Sequence, residues 1–81
     1  MHALVTGANG HLGFNLVQRL LQQGRRVRGS LRGPLDGPDA ARLRALGPVE
    51  LVRADIRDAA AMGAALQGVD RLFHVAAVYS V

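Results

Sequence analysis

The sequence predicts an α/β fold with a doubly wound parallel sheet, in the order βαβαβαβ. Three observations carry that prediction. Short apolar runs alternate with helix-patterned segments across the 81 residues, the connections between them are short, and three glycines sit where the first apolar run meets the first helix. Such alternation calls for parallel strands joined by right-handed crossovers. No tandem repeat or low-complexity tract competes with it.

Each element has its own signature. Residues 2–6 (HALVT) form a short β-rich apolar run stopping at Gly7, as a buried parallel strand does. Over residues 11–23, Leu12, Leu16, Val17, Leu20 and Leu21 recur at threes and fours, and Gly24 follows in the C-capping place, which predicts an amphipathic helix. Residues 26–31 (RVRGSL) predict a second strand, interrupted by Gly29, and GPLDGP at 33–38 a turn-rich loop. Asp39 is placed to N-cap a short helix, AARLRAL, closed by Gly47 and Pro48. Residues 49–53 (VELVR) make a third strand leading into ADIRD, and Asp58 N-caps AAAMGAALQ, which Gly63 weakens and Gly68 closes. RLFHVAAV at 71–78 is the fourth strand. It is apolar on both faces, so it belongs inside a sheet, yet no further helix follows to cover it. The expectation is an incomplete domain, or self-association through the uncovered sheet.

Composition narrows the function classes. A chain this short buries only ~60–65% of its unfolded surface, so it is one small domain with a marginal core. Hydrophobic residues at 49% and charged ones at 20% describe a globular chain. There is no cysteine, which excludes disulfides, cysteine-ligated metals and thiol catalysis within these residues, and a cytoplasmic location is expected. The opening MHALVTGANG has no basic region ahead of an apolar stretch, and no run approaches the ~18 residues of a membrane span, so neither export nor insertion is expected. All ten basic residues are arginines, which excludes a catalytic lysine. The net charge of +4 raises a nucleic-acid partner, but the arginines are dispersed among six acids and only three aromatics are present. Only Arg25, Arg26, Arg28 and Arg32 cluster, around the second strand, which favours a local anion. Of these, Arg25, Arg26 and Arg28 are expected to be solvated or paired with nearby acids.

The central motif is TGANGHLG, with Gly7, Gly10 and Gly13 at three-residue spacing between a strand and a helix. Gly7 allows the tight exit from the strand, Gly10 lets the backbone approach a pyrophosphate, and Gly13 permits close helix–sheet packing. The N–H groups of residues 9–12 (Asn9, Gly10, His11 and Leu12) would then meet the phosphates at the positive end of the helix. At the end of the second strand an acid would accept from an adenosine ribose, whereas a cation would hold a 2′-phosphate. Residues 26–33 contain no acid, so NADP(H) is expected over NAD, with Arg32 on the 2′-phosphate and Ser30 as a hydroxyl donor. The alternative for Arg32 is a solvated surface charge.

TGANGHLG, VRGSLRG, ADIRD and LFHVAA, in this order, resemble the first half of an extended short-chain dehydrogenase/reductase. VRGSLRG and FHVAAVYSV are most similar to the dihydroflavonol-reductase-like and sugar-epimerase branch, within the NAD-dependent epimerase/dehydratase family. The resemblance implies that Asp55 meets the adenine with the backbone of Ile56 beside it; helix capping or a loop role is the alternative for Asp55. It also implies that Val75, Ala76 and Ala77 pass the cofactor ribose through their backbone, unless their small size serves only strand packing. The family's catalytic set is a Ser or Thr and a Tyr-x-x-x-Lys pair. No lysine is present, so Tyr79 is not that tyrosine; Tyr79 and Ser80 read as strand-end residues.

His2, His11 and His74 lack the spacing of a ligand set, so no metal is expected; His11 fits over the pyrophosphate and His74 a satisfied core position. Asp55 and Asp58 read better as adenine contact and helix cap than as an acid–base pair. The prediction is therefore a Rossmann-type nucleotide-binding half, strand order 3-2-1-4, that binds NADP(H) at the carboxyl ends of its strands. Residues 1–81 would form the cofactor-binding portion of an oxidoreductase acting on a CH–OH or ketone carbon, unable to catalyse alone. Competing readings are a non-catalytic dinucleotide sensor, a nucleotide-sugar epimerase or dehydratase fragment, and a nucleic-acid-binding module with steeply salt-dependent affinity.

Overall fold

The computed structural model describes residues 2–55 and 57–74. Along the chain run β1 (His2–Thr6), α1 (His11–Gln22), β2 (Arg26–Leu31), α2 (Pro38–Arg44), β3 (Glu50–Arg53), α3 (Ala59–Ala65) and β4 (Arg71–His74). The four strands form one parallel sheet in the order β3-β2-β1-β4, the predicted order. Its two faces are covered by different helices. On one, Ala3, Val5, Val27 and Leu31 pack with Val17 and Leu20 of α1 and Ala40 and Leu43 of α2. On the other, Leu4 meets Ala54, just after β3, and Ala65 of α3. The crossover changes face between β1 and β4, which makes the sheet doubly wound, and in such sheets ligands bind outside the carboxyl ends of the strands.

The strand periodicity of two explains this partition, since neighbours such as Leu4 and Val5 face opposite layers. Helix α1 buries Gly13, Val17 and Leu20 and leaves its polar residues outside. It ends one residue earlier than predicted, with Gly24 just beyond in the left-handed region at φ 77°.

Helix α2 corrects the sequence reading. Its N-cap is Gly37 and its first residue is Pro38, whose fixed φ suits that position and whose missing N–H is not needed there. Asp39 therefore lies inside the first turn, with its carboxylate on Arg42 and on the Asn9 side chain. Strand β3 begins at Glu50, not Val49, because the Val49 N–H turns back to the Gly47 carbonyl at 2.8 Å. Helix α3 stops at Ala65, two residues early, in a turn where Val69 N–H bonds Leu66 O. The part of the fourth strand expected over residues 75–78 lies outside the described residues. Within β4, Leu72 is 44% exposed and Phe73 is half-buried. His74 is not the core histidine expected: it is exposed, with Nδ1 3.1 Å from the Thr6 hydroxyl.

Asp58 caps α3 as predicted, accepting from the N–H groups of Ala60 and Ala61 at 3.1 Å each. Asp58→Ala should lower stability by about 1 kcal/mol and Asp58→Asn by far less, because asparagine caps almost as well. Thermal unfolding of the two variants checks this. Equal losses would mean that charge near the helix terminus, not the cap bond, is what matters.

Candidate functional site

The carboxyl ends of β1, β2 and β3 converge on one rim. From β1 the chain passes through Gly7, at φ 63°, a left-handed conformation that a side chain would strain. Gly10 N–H donates to Gly7 O at 3.0 Å, closing a turn, and Phe14 N–H donates to Gly10 O at 2.8 Å, the first bond of α1. The loop is fixed to the sheet by Ala8 N–H, which donates to Ser30 O at 3.1 Å. Ala8 itself is fully buried.

That buried methyl accounts for the glycine that interrupts β2. A Cβ on Gly29 would stand 2.9 Å from Ala8 Cβ, so the strand gives up a side chain to seat the loop. Gly13 has the same role on the other side: a Cβ there would stand 2.2 Å from Gly7 O and 2.9 Å from Ala8 Cα. The loop is thus pressed between α1 and β2, and its outer edge, Asn9 to Leu12, is exposed.

The amide accounting differs in one place from the sequence expectation. Gly10 N–H serves the turn and does not point at a ligand. His11, Leu12 and Gly13 open α1 and have no acceptor within it, and no side chain caps the helix. Two oxygens of a pyrophosphate would satisfy such amides at the positive end of the helix. A cradle that leaves no room for a Cβ at Gly13, beside helix-opening amides with no acceptor inside the helix, fits a phosphate-bearing cofactor.

At the next strand end, Arg32 is 69% exposed and its Nε lies 3.9 Å from Asp55 Oδ2. The Ala54 N–H bond to Leu31 O, at 2.8 Å, continues the β2–β3 ladder and brings Asp55 beside Arg32. Arg57 holds Asp55 more closely: its backbone N–H and Nε reach Oδ1 at 2.9 and 3.2 Å, and Nη2 reaches Oδ2 at 2.9 Å. Those bonds, first from the guanidinium and then from the backbone, with Arg32 adding a smaller share, pull the Asp55 carboxyl down to about 2. Arg53 adds a third guanidinium, with Nε 3.4 Å from Arg32 O.

Ser30, expected beside Arg32 as a hydroxyl donor, lies in β2 and is only 1% exposed. The expected contacts of Ile56, Val75, Ala76 and Ala77, and the strand-end positions of Tyr79 and Ser80, lie outside the described residues. Sequence reasoning missed Gly29, Arg57 and the Asn9–Asp39 bond of 3.3 Å that ties the loop to α2. Gly29 had announced itself as a break in a strand, and Arg57 stands only two residues from Asp55; the Asn9–Asp39 bond, 30 positions apart, carried no local signal.

A small cleft beside the loop is lined by Asn9, Leu31, Gly33, Pro34, Gly37, Pro38 and Asp39. A cavity of about 400 Å³ lies at the opposite end of the sheet, between His2, Arg26 and Glu50 at the amino ends of the strands, remote from the glycine loop. Among the described residues no three His, Asp or Glu side chains come together as a metal site, and no helix is long and apolar enough to cross a membrane.

Comparison with known proteins places this geometry. Residues 3–81 match the model of the NAD-dependent epimerase/dehydratase family. Sterol demethylase protein B of Methylococcus capsulatus is 47% identical over 81 residues, all of this chain and 24% of that protein. Cinnamoyl-CoA reductase 1 of Oryza sativa is 44% identical over 79 residues, 94% of this chain and 23% of the relative. Among solved structures, UDP-glucose-4-epimerase from Stenotrophomonas maltophila, with NAD and a formylated UDP-arabinopyranose bound, superposes with a TM-score of 0.82 at 35% identity, covering all of this chain and 26% of that one. The chain spans about a quarter of the length of the relatives it matches.

Proposed function

The chain belongs to the NAD-dependent epimerase/dehydratase family, and from that premise we propose that it is the NADP(H)-binding portion of an oxidoreductase of the short-chain dehydrogenase/reductase type. The observation that carries the choice of dinucleotide is the end of β2, where an exposed arginine stands in place of an acid. A ribose 2′-hydroxyl asks for a carboxylate acceptor at this point, and a 2′-phosphate for a cation. Arg32, with Arg53 and Arg57 at the same rim, supplies the cation.

In this reading the amides of His11, Leu12 and Gly13 bind the pyrophosphate, with Asn9 and Gly10 at the loop edge beside it. Asp55 faces the adenine amino group. Backbone roles for Ile56, Val75, Ala76 and Ala77 follow from the family resemblance. When bound, the nicotinamide gives or takes the hydride at a CH–OH or ketone carbon. Orientation of the dinucleotide is what these 81 residues contribute; proton transfer needs a Tyr-x-x-x-Lys pair, and the chain contains no lysine.

Calorimetric titration with NADP⁺ and NAD⁺ at fixed salt tests the proposal. The protein should bind NADP⁺ more tightly, and Arg32→Ala should reduce that preference by about tenfold, the lower end of a charge-assisted contact because the arginine is exposed. Equal affinity for both dinucleotides in the parent, or a preference untouched by the substitution, would overturn the assignment of Arg32.

A further inference from the structure

Two guanidinium groups face one carboxylate oxygen at the site rim. Asp55 Oδ2 lies 2.9 Å from Arg57 Nη2 and 3.9 Å from Arg32 Nε, so Arg57 makes a hydrogen bond there and Arg32 does not. The other oxygen, Oδ1, is also taken, by the Arg57 backbone N–H and Nε. Arg57 thus holds Asp55 by both oxygens, in the paired geometry that a planar guanidinium fork favours.

We propose that Arg57 is a specificity-determining residue: by occupying the Asp55 carboxylate it leaves Arg32 available to a 2′-phosphate. The inference deepens the NADP(H) reading above and rests on it. Asp55 is the only carboxylate within ion-pair distance of Arg32 among the described residues. Without Arg57, Oδ2 loses its hydrogen bond and Arg32 is the nearest guanidinium able to replace it. A phosphate would then have to compete with a carboxylate for the same cation. The local charge changes in the same direction, because Arg32, Arg53 and Arg57 against Asp55 leave a net +2, which falls to +1. NAD, with a neutral hydroxyl at that position, is indifferent to both effects. Without Arg57 the Asp55 carboxyl loses the largest cause of its lowering but, with an ordinary value of 3.8, stays anionic at neutral pH, so protonation does not relieve the competition.

The experiment measures the ratio of NADP⁺ to NAD⁺ affinity in the purified protein for Arg57→Ala, Arg57→Ala with Asp55→Asn, and Arg32→Ala. Arg57 is a surface side chain, so circular dichroism should show all three variants folded. Arg57→Ala should lower the ratio by about three- to fivefold, through NADP⁺, the range expected for an exposed ion pair. Adding Asp55→Asn should restore it, because the competitor is gone and the net charge returns to +2, while any adenine contact of residue 55 affects both dinucleotides alike and cancels. A ratio unchanged in Arg57→Ala, alongside a fall in Arg32→Ala, overturns the role of Arg57 and leaves the NADP(H) reading standing. A fall that Asp55→Asn fails to reverse also overturns it, since the loss would then not pass through the carboxylate. A ratio unchanged in Arg32→Ala removes the 2′-phosphate assignment, and this inference with it.

Discussion

Gly13→Ala is expected to lower stability by about 2 kcal/mol and to weaken dinucleotide binding by more than its effect on folding explains. The new methyl would lie 2.2 Å from the Gly7 carbonyl oxygen and 2.9 Å from Ala8 Cα. Both are backbone atoms, so no flexible side chain can move aside, and normal contact needs roughly 1 Å more room. Alanine gains about 1 kcal/mol over glycine inside a helix, but overpacking against backbone that can shift only as a body costs about 3 kcal/mol, the upper end of the usual range. Either shift displaces the amides of His11 and Leu12 from the positions that make the loop an anion cradle. Gly63 in α3 provides the contrast. A methyl there meets nothing within 4 Å, so Gly63→Ala should stabilise the fold by about 0.5–1 kcal/mol. Urea unfolding of both variants, with NADP⁺ titration of the folded protein, reads the two effects separately. A Gly13→Ala protein as stable and as tight-binding as the parent would show that α1 is free to retreat and that the loop is not held as described.

The opposite signs expected for two helical glycines mark the boundary of what the sequence discloses. The strands at residues 2–6 and 26–31 were legible residue for residue, because a buried parallel strand is an apolar run bounded by glycine or charge and nothing distant has to be known. The glycine loop was legible for the same reason: tight exit, turn and helix entry are properties of eight consecutive residues. Asp39 misled because aspartate is a good N-cap, whereas Gly37 and Pro38 start α2 and free its carboxylate for Arg42 and Asn9. Ser30 is buried whereas Arg32, two residues on, is exposed, so closeness in sequence did not carry over to the surface. Gly29 looked like a weakness in β2 until Ala8, 21 positions earlier in the chain, was seen against it. For Gly29 the deciding partner stands on another element.

Arg28 shows how far such a partner can be, and its replacement carries the second large effect. The sequence offered it as one of four clustered arginines, solvated or paired with an acid. Pairing with some nearby acid was one of the two expectations, and Glu50 is that acid; the depth of the side chain was not expected. The side chain is only 13% exposed, its Nε donates to Glu50 Oε1 at 2.8 Å, and its Nη1 donates to the carbonyls of Ala65 and Gln67 at 2.6 and 2.7 Å. One guanidinium therefore joins β2 to β3 and to the C-terminal end of α3, where carbonyls lack helical partners and the dipole favours a cation. Arg28→Met keeps the stem and removes all three bonds. Glu50 and Gln67 are exposed and regain water, whereas Ala65 O is partly buried, so the net loss should be about 2 kcal/mol rather than the sum of three charge-assisted bonds. The loss should also depend on pH. The Arg28 guanidinium holds the Glu50 carboxyl below its usual value of 4.5, so the ionised pair stabilises the fold fully above that value and fades as pH falls through the lower, folded one. The variant has no such pair to lose, and the stability gap between it and the parent should narrow as the solution is acidified below about pH 4. Urea unfolding of parent and variant at neutral pH and near pH 3 reads both. A gap that stays constant across that range would assign the effect to the α3 carbonyls alone, and no gap at neutral pH would show that Arg28 leaves water for its three partners without net gain.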